Sequence, residues 1–410
     1  MKMKKIAIMA AMAAFTFGLN AQSLMVESAF QDMNKGSLKK AKAEIDAASV
    51  HEKTKDDPKT WYYRAFIYAK IGDDATKPKP KYKGLAPDWA DQAYEAAMEC
   101  KRLDSENEYS AKLKSVFSIV GIEYYNRSRS LFNEKNYKDA MDMATKSVEM
   151  FNNGGEGDNA AEAMYVAGIS AMATHDTANV KKYFNNLMRK RTDKEQVYTI
   201  LFNIFKAEGN VDQAMKVAAN YKKNTKNDYR ANLLMAEGYL LNKNIEKGKE
   251  EINAALELTK DSANIYPKLL AQSAQLLELT EDFDGAEAKY RESLTLKPVQ
   301  FEANYNLGKM FYNRAVDKVN SAPEPDPFDE NSLALYDKLI DESKDLYRQA
   351  ITYLVKAVEY LDALPAEEKP YHRESLANAL TGLAEAYARI EMYAESKAAK
   401  DRINELSKEE

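Results

Sequence analysis

Apolar residues recur along almost the whole chain at spacings of three and four, and hardly anywhere in strict alternation. In DFDGAEAKYRESLTLKP, residues 282–298, Phe283, Ala286, Tyr290 and Ser293 share one face of a helix and Pro298 closes it. Runs of Val, Ile and Thr are few, and no Asn-Gly or Asp-Gly pair joins two alternating segments, so hairpins of strands are not expected. The prediction is an all-α protein.

The same face returns at regular intervals. The offsets 0, 3, 7, 10 and 15 of residues 283–298 recur as Tyr137, Ala140, Ala144, Ser147 and Asn152. They recur again as Val211, Ala214, Ala218, Tyr221 and Lys226, and more loosely as Ile245, Gly248, Ile252, Ala255 and Lys260. A small residue stands twelve positions earlier in each preceding helix: Gly168 before Val180, Ala236 before Gly248, Ala274 before Ala286. Small residues at matched positions let two helices approach closely while large neighbours fill the space beside them.

YNLGKMFY, residues 305–312, places Leu307, Gly308 and Phe311 at the first-helix positions of this pattern, and WYYRAFIYAKIG, residues 61–72, does so with Trp61, Ala65 and Tyr68. In these residues the chain resembles the tetratricopeptide-repeat family, whose unit is a helix–turn–helix of about 34 residues. The small second-helix position falls at Ala41, Ala90, Ala140, Val180, Ala214, Gly248, Ala286, Ala350 and Ser396, in steps of 49, 50, 40, 34, 34, 38, 64 and 46. The resemblance implies a superhelical solenoid of about nine units over residues 22–410. Their expected positions are near 24–55, 58–106, 110–153, 160–193, 194–227, 228–262, 263–299, 300–366 and 370–408. The most regular stretch is 160–300, and the weaker first and last units suit capping positions. Two units carry long insertions, 72–87 and 321–331, rich in proline; the first is not expected to be helical throughout. Around the second, the first helix should run to about Asn320 and the next begin near Leu333, while FNNGGEG, residues 151–157, reads as a flexible break.

The chain begins with Lys2, Lys4 and Lys5, an apolar run from Ile6 to Leu19, and a small residue at Ala21. That is the pattern of a secretory signal peptide over residues 1–21, with cleavage before Gln22. It predicts an exported protein, periplasmic or outer-membrane associated. Without a cysteine at the cut no lipid anchor is expected, and no later segment is apolar enough to span a membrane. A cut before glutamine also hints at a Bacteroidetes-like bacterial origin. Loss of the leader moves the net charge from −5 to about −8, which disfavours nucleic acid and anionic lipid as partners. Cys100 is the only cysteine, so stability must come from packing.

Catalytic, metal and cofactor constellations are not evident. His51, His175 and His372 lie far apart without partners at ligand spacing, and Cys100 reads as a small apolar residue on a helix seam. DPFDEN, residues 326–331, lacks the alternating carboxylates and glycine of a calcium loop. The expectation is a non-enzyme that binds protein or peptide of the cell envelope. The alternative is a glycan- or substrate-binding accessory of an outer-membrane uptake or secretion system, with an exposed Trp89 and tyrosines stacking on sugar rings.

The family resemblance implies where a peptide would lie, in a groove lined by the first helix of each unit. Its frame picks out Tyr62, Tyr63 and Phe66; Tyr125, Asn126 and Arg129; Tyr165 and Ile169; Asn203; and Tyr305, Asn306, Lys309 and Tyr312. Tyrosine suits such a surface, offering apolar area at low entropic cost and a hydroxyl for a peptide backbone. The units between Arg129 and Lys309 offer Ile169, Asn203 and Glu237 at the matching place, so a clamp for a C-terminal carboxylate within that groove is not expected.

Overall fold

The computed structural model describes residues 23–326 and 328–408; the leader assigned to residues 1–21 lies outside them. The described residues form eighteen α-helices and no β-strand. The chain divides into two compact units, up to Ile204 and from Phe205. The first holds α1 (residues 23–34), α2 (Leu38–Ser49), α3 (Pro58–Ala75), α4 (Trp89–Leu103), α5 (Lys114–Asn133), α6 (Tyr137–Gly154), α7 (Gly157–Ala173), α8 (Thr177–Arg189) and most of α9 (Glu195–Ala207). The second holds α10 (Val211–Asn224), α11 (Tyr229–Leu241), α12 (Ile245–Thr259), α13 (Tyr266–Glu278), α14 (Phe283–Leu296), α15 (Phe301–Ser321), α16 (Glu330–Asp362), α17 (Arg373–Arg389) and α18 (Tyr393–Leu406).

One turn builds most of the helix hairpins. Gly36, Lys135, His175, Gly209, Lys243, Glu281 and Glu391 all have φ between 58° and 74°. Each is followed by a residue whose N–H reaches back to the carbonyl five positions earlier, as Asn136 to Leu131, Asp176 to Ala171 and Asn210 to Phe205, each at 2.8 Å. This is a Schellman closure, which satisfies carbonyls left open at a helix end. At four of these turns the donor residue, Asp176, Asn210, Asn244 or Asp282, then caps the next helix: Asp176 accepts from the N–H of Asn179 at 3.0 Å and Asp282 from that of Gly285 at 3.1 Å. The left-handed residue costs roughly 1–2 kcal/mol when it carries a Cβ, so Gly36 and Gly209 are the unstrained versions.

The small positions close the hairpins as their spacing requires. Ala65, Ala140, Ala214, Ala286, Leu307 and Ala350 are wholly buried. Gly168 lies against the Phe184 ring and Gly308 against Leu354, each so close that a Cβ would collide. Trp61 is half-buried, with its indole N–H bonded to the Lys55 carbonyl at 2.6 Å.

Tyrosines reach across helices to carboxylates and fix how successive helices meet. Tyr68 on α3 donates to Asp46 on α2 at 2.9 Å, Tyr124 on α5 to Asp91 on α4 at 2.7 Å, and Tyr94 on α4 to Glu149 on α6 at 2.7 Å. In the second unit Tyr221 donates to Asp228 at 2.7 Å and Tyr290 to Glu278 at 2.5 Å. Burial first, and the acceptor carboxylate second, push the Tyr94, Tyr124 and Tyr290 hydroxyls above their ordinary range, so they remain donors.

Several expectations are corrected. FNNGGEG is not a flexible break: α6 runs through Gly154 and α7 starts at Gly157, leaving a two-residue turn with Gly155 at φ 78°. The 72–87 insertion is, as expected, not helical throughout, and it folds as a brace. α3 extends to Ala75, the Asp74 carboxylate accepts the Tyr82 N–H at 2.7 Å, and the Tyr82 hydroxyl donates to the Gly36 carbonyl in the α1–α2 turn. Trp89, expected to be exposed, is only 6% exposed. Its indole fills the space that a side chain at Gly72 would occupy. α15 ends at Ser321, close to expectation, but α16 begins at Glu330, three residues before Leu333, because Asp329 caps it through the Asn331 N–H at 2.9 Å. Phe328, beside that cap, is 96% exposed.

Candidate functional site

Two helices and one turn make an open cleft in the first unit. α5 buries Val116, Phe117, Val120, Gly121, Tyr124 and Ser128, which turns Tyr125, Arg129 and Phe132 to its other side. α7 buries Ala160, Ala163, Met164, Ala167 and Gly168, leaving Glu162, Tyr165 and Ile169 on the facing side. Those two stripes, with Val166, Asn133 and Lys194 from the turn before α9, line a cleft of about 320 Å³. That is the lower end of the range for ligand pockets, roughly 300–1,000 Å³.

The cleft is aromatic with a cation over each tyrosine. The Arg129 guanidinium lies 5.7 Å from the Tyr125 ring centre and the Lys194 ammonium 4.9 Å from that of Tyr165. Lys194 also pairs with Glu162 at 3.0 Å. Tyr165 is held from behind by Phe184, whose ring stacks on it at 6.1 Å, and its hydroxyl reaches Gln196 at 3.4 Å. Phe132 is braced edge-on by Tyr137 at 5.2 Å. Tyr125 and Tyr165 remain half-buried and Arg129 exposed.

The structure thus brings Tyr125, Arg129, Tyr165 and Ile169 together. Asn126 and Asn203 are exposed on α5 and α9 and do not line the cleft. Phe132, Glu162 and Lys194 were not singled out from the sequence. Phe132 lies three residues beyond Arg129 and Glu162 three before Tyr165, a spacing that could have found them; Lys194 sits in a turn outside any repeat frame.

The groove residues of α3 are already covered. Tyr63, expected in the groove, is a core residue at 8% exposure, stacked on Phe30 with centroids 4.2 Å apart. Tyr62 and Phe66 are half-buried 5.0 Å from one another, and Tyr109 lies 5.5 Å from Tyr62. Asp104 places Tyr109 there by accepting the backbone N–H groups of Glu108, Tyr109 and Ser110 at 3.1, 2.9 and 2.7 Å. Burial acts to raise the Asp104 pKa, but these donors prevail and hold it below the usual carboxylate range. Asp104→Ala is expected to free residues 104–113 and speed tryptic cleavage after Lys112, with the rest of the chain still folded. Cleavage at the wild-type rate would rule that anchoring role out.

In the second unit the α15 residues are largely engaged within the protein. Tyr305 is half-buried and stacked on Phe301 at 5.4 Å, and Asn306 lies against the Tyr290 hydroxyl. Lys309 is exposed and acts electrostatically on Glu278, whose carboxyl burial pushes up. Tyr312 donates to Glu385 and meets Tyr347 edge-on at 5.6 Å; burial and that carboxylate push it up to about 12. Cys100 is fully buried, and burial, then Asp104 and Asp57, push its thiol up to about 12, which leaves it a poor nucleophile. No helix among the described residues is long and apolar enough to cross a membrane.

No protein-family model matches the sequence, and no curated protein matches it. Solved structures that it resembles include YrrB, described as a tetratricopeptide-repeat protein with an unusual peptide-binding site. The alignment has 15% identity and a TM-score of 0.35, covering 45% of this chain and 89% of that one. The C-terminal part of a tetratricopeptide-repeat-containing protein from Cytophaga hutchinsonii aligns at 12% identity and TM-score 0.38, covering 78% and 99%. Yeast Tom70 aligns at 13% identity and TM-score 0.37, covering 98% and 86%. At these identities and scores the likeness is one of helical-repeat architecture and carries no shared activity.

Proposed function

We propose that the chain is a non-enzymatic scaffold that holds a peptide segment or protein of the cell envelope, with the cleft between α5 and α7 as its main contact surface. The observation that supports this reading is the convergence of Tyr125, Arg129, Tyr165 and Ile169 on one open cleft, with a cation over each tyrosine and Tyr165 braced by Phe184. An extended peptide would lay an apolar side chain between the tyrosines and offer backbone carbonyls to Arg129 and Asn133. Periplasmic placement rests on the basic, apolar and small residues of the leader. Selection from a displayed random-peptide library tests the binding role. Enriched sequences should bind the wild-type chain and lose at least about tenfold in affinity against Tyr125→Ala/Tyr165→Ala, the usual cost of removing aromatic anchors. Failure to enrich any sequence, or equal binding to the double variant, would sink the proposal.

A further inference from the structure

A second cleft, of about 560 Å³, opens in the second unit where the ends of α16 and α18 meet the start of α17. Leu361, Leu376, Leu406 and Pro370 give it an apolar wall. Lys369, Arg373 and Arg402 bring three positive charges to it, and Asp362 and Glu405 two negative ones. Arg402 is committed, with Nη2 bonded to Asp362 at 2.8 Å. Lys369 and Arg373 have no acidic partner among the described residues. Among the described residues, nothing accepts a hydrogen bond from the Arg373 Nη2, which is shut off from solvent. A buried guanidinium N–H without an acceptor bears its full desolvation cost, so native structures rarely leave one. The short 3-10 turn Lys369–His372 runs directly into α17 at Arg373, and Lys369 and Arg373 both line the opening.

We infer that this cleft binds a carboxylate carried on an apolar body, with Arg373 and Lys369 holding the oxygens and the leucines receiving the apolar part. The planar fork of a guanidinium fits the two oxygens of a carboxylate. Lys369, Arg373 and Arg402 against Asp362 and Glu405 leave one positive charge in excess, which suits a monoanion, and Glu405 disfavours a dianion such as phosphate. The site is distinct from the α5–α7 cleft, and the two stand or fall separately.

The test is calorimetric titration of the full chain at low salt with acetyl-Ala-Ala-Leu as the free acid, the same peptide as its C-terminal amide, acetate, and inorganic phosphate. The free acid should bind, with the amide and acetate at least about tenfold weaker and phosphate weaker than the acid, since charge-assisted bonds and apolar burial each contribute at that scale. Arg373→Gln and Lys369→Gln should each weaken the acid severalfold with the far-UV spectrum unchanged. Lys369 lies on an exposed turn, so its variant keeps the test valid if Arg373→Gln unfolds. The inference fails if no probe binds or if acid and amide bind alike. It also fails if phosphate or acetate matches the peptide acid, or if both variants bind as the wild type does.

Discussion

Gly168→Ala is expected to lower the stability of the chain by about 2 kcal/mol, read as the urea midpoint by far-UV circular dichroism. An alanine in a helix normally gains about 0.5–1 kcal/mol over glycine, so the direction is set by the surroundings. The new Cβ would stand 2.1 Å from Cε1 and 2.6 Å from Cδ1 of Phe184. That ring is fully buried and stacked on Tyr165, so it has no free direction in which to move. Displacing it would also tilt a wall of the α5–α7 cleft. Gly248→Ala is the control: its Cβ would meet Cδ2 of Leu240 at 2.4 Å, but a leucine tip can change rotamer. The helix gain and the rearrangement should then nearly cancel. A Gly168→Ala protein as stable as the wild type would show that the α7–α8 contact is looser than described.

Tyr124→Ala carries the other large effect, a loss of about 3–5 kcal/mol for a fully buried aromatic, against about 1–1.5 kcal/mol for Tyr124→Phe, which deletes only a hydroxyl. The milder variant leaves Asp91 with Arg127 and Lys146, each at 3.2 Å. Burial acts to raise the Asp91 pKa, but the Tyr124 and Lys146 hydrogen bonds and the two cations prevail, and it lies below the ordinary carboxylate range. A depressed native pKa adds stability that is present above the unfolded value of about 3.9 and is lost as pH falls through the native value. Asp91→Asn should therefore cost a constant amount from neutral pH down to about pH 5, with the gap to wild type closing below about pH 4. A gap that persists into strong acid would mean that Asp91 acts through packing and not through its charge.

The repeat was legible because its signal is local. Ala140, Ala214 and Ala286 declare a helix–helix seam by their size and spacing alone, and all three are wholly buried. The frame placed residues on a shared surface where first helices face one another with nothing inserted between them, as at Tyr125 and Tyr165, which line one cleft. It failed at Tyr62 and Tyr63. These neighbours differ by 100° about the helix axis, and which one is buried depends on Phe30 from α1 and Tyr109 from a loop after α4. No spacing rule within α3 holds that information. Trp89 failed for a related reason: a tryptophan after a proline-rich insertion looks like surface until Gly72, on the preceding helix, is seen to have made room for it. The basic cleft around Arg373 was invisible because its residues come from three helices and a turn spread over 46 positions.

The tyrosine–carboxylate bonds have a consequence for rearranging the array. Asp46 serves Tyr68 of the following hairpin and Asp91 serves Tyr124 of the one after, while Tyr94 reaches forward to Glu149. Donor and acceptor of these bonds belong to different hairpins: the earlier hairpin supplies an acceptor at both junctions, and at the second it supplies a donor, Tyr94, as well. Cutting out the α5–α6 hairpin would leave the Tyr94 phenol without its Glu149 acceptor and the Asp91 carboxylate without its Tyr124 donor. An array rearranged there should be penalised at the seam where α4 meets the α5–α6 hairpin, even when every hairpin remains a good helix pair.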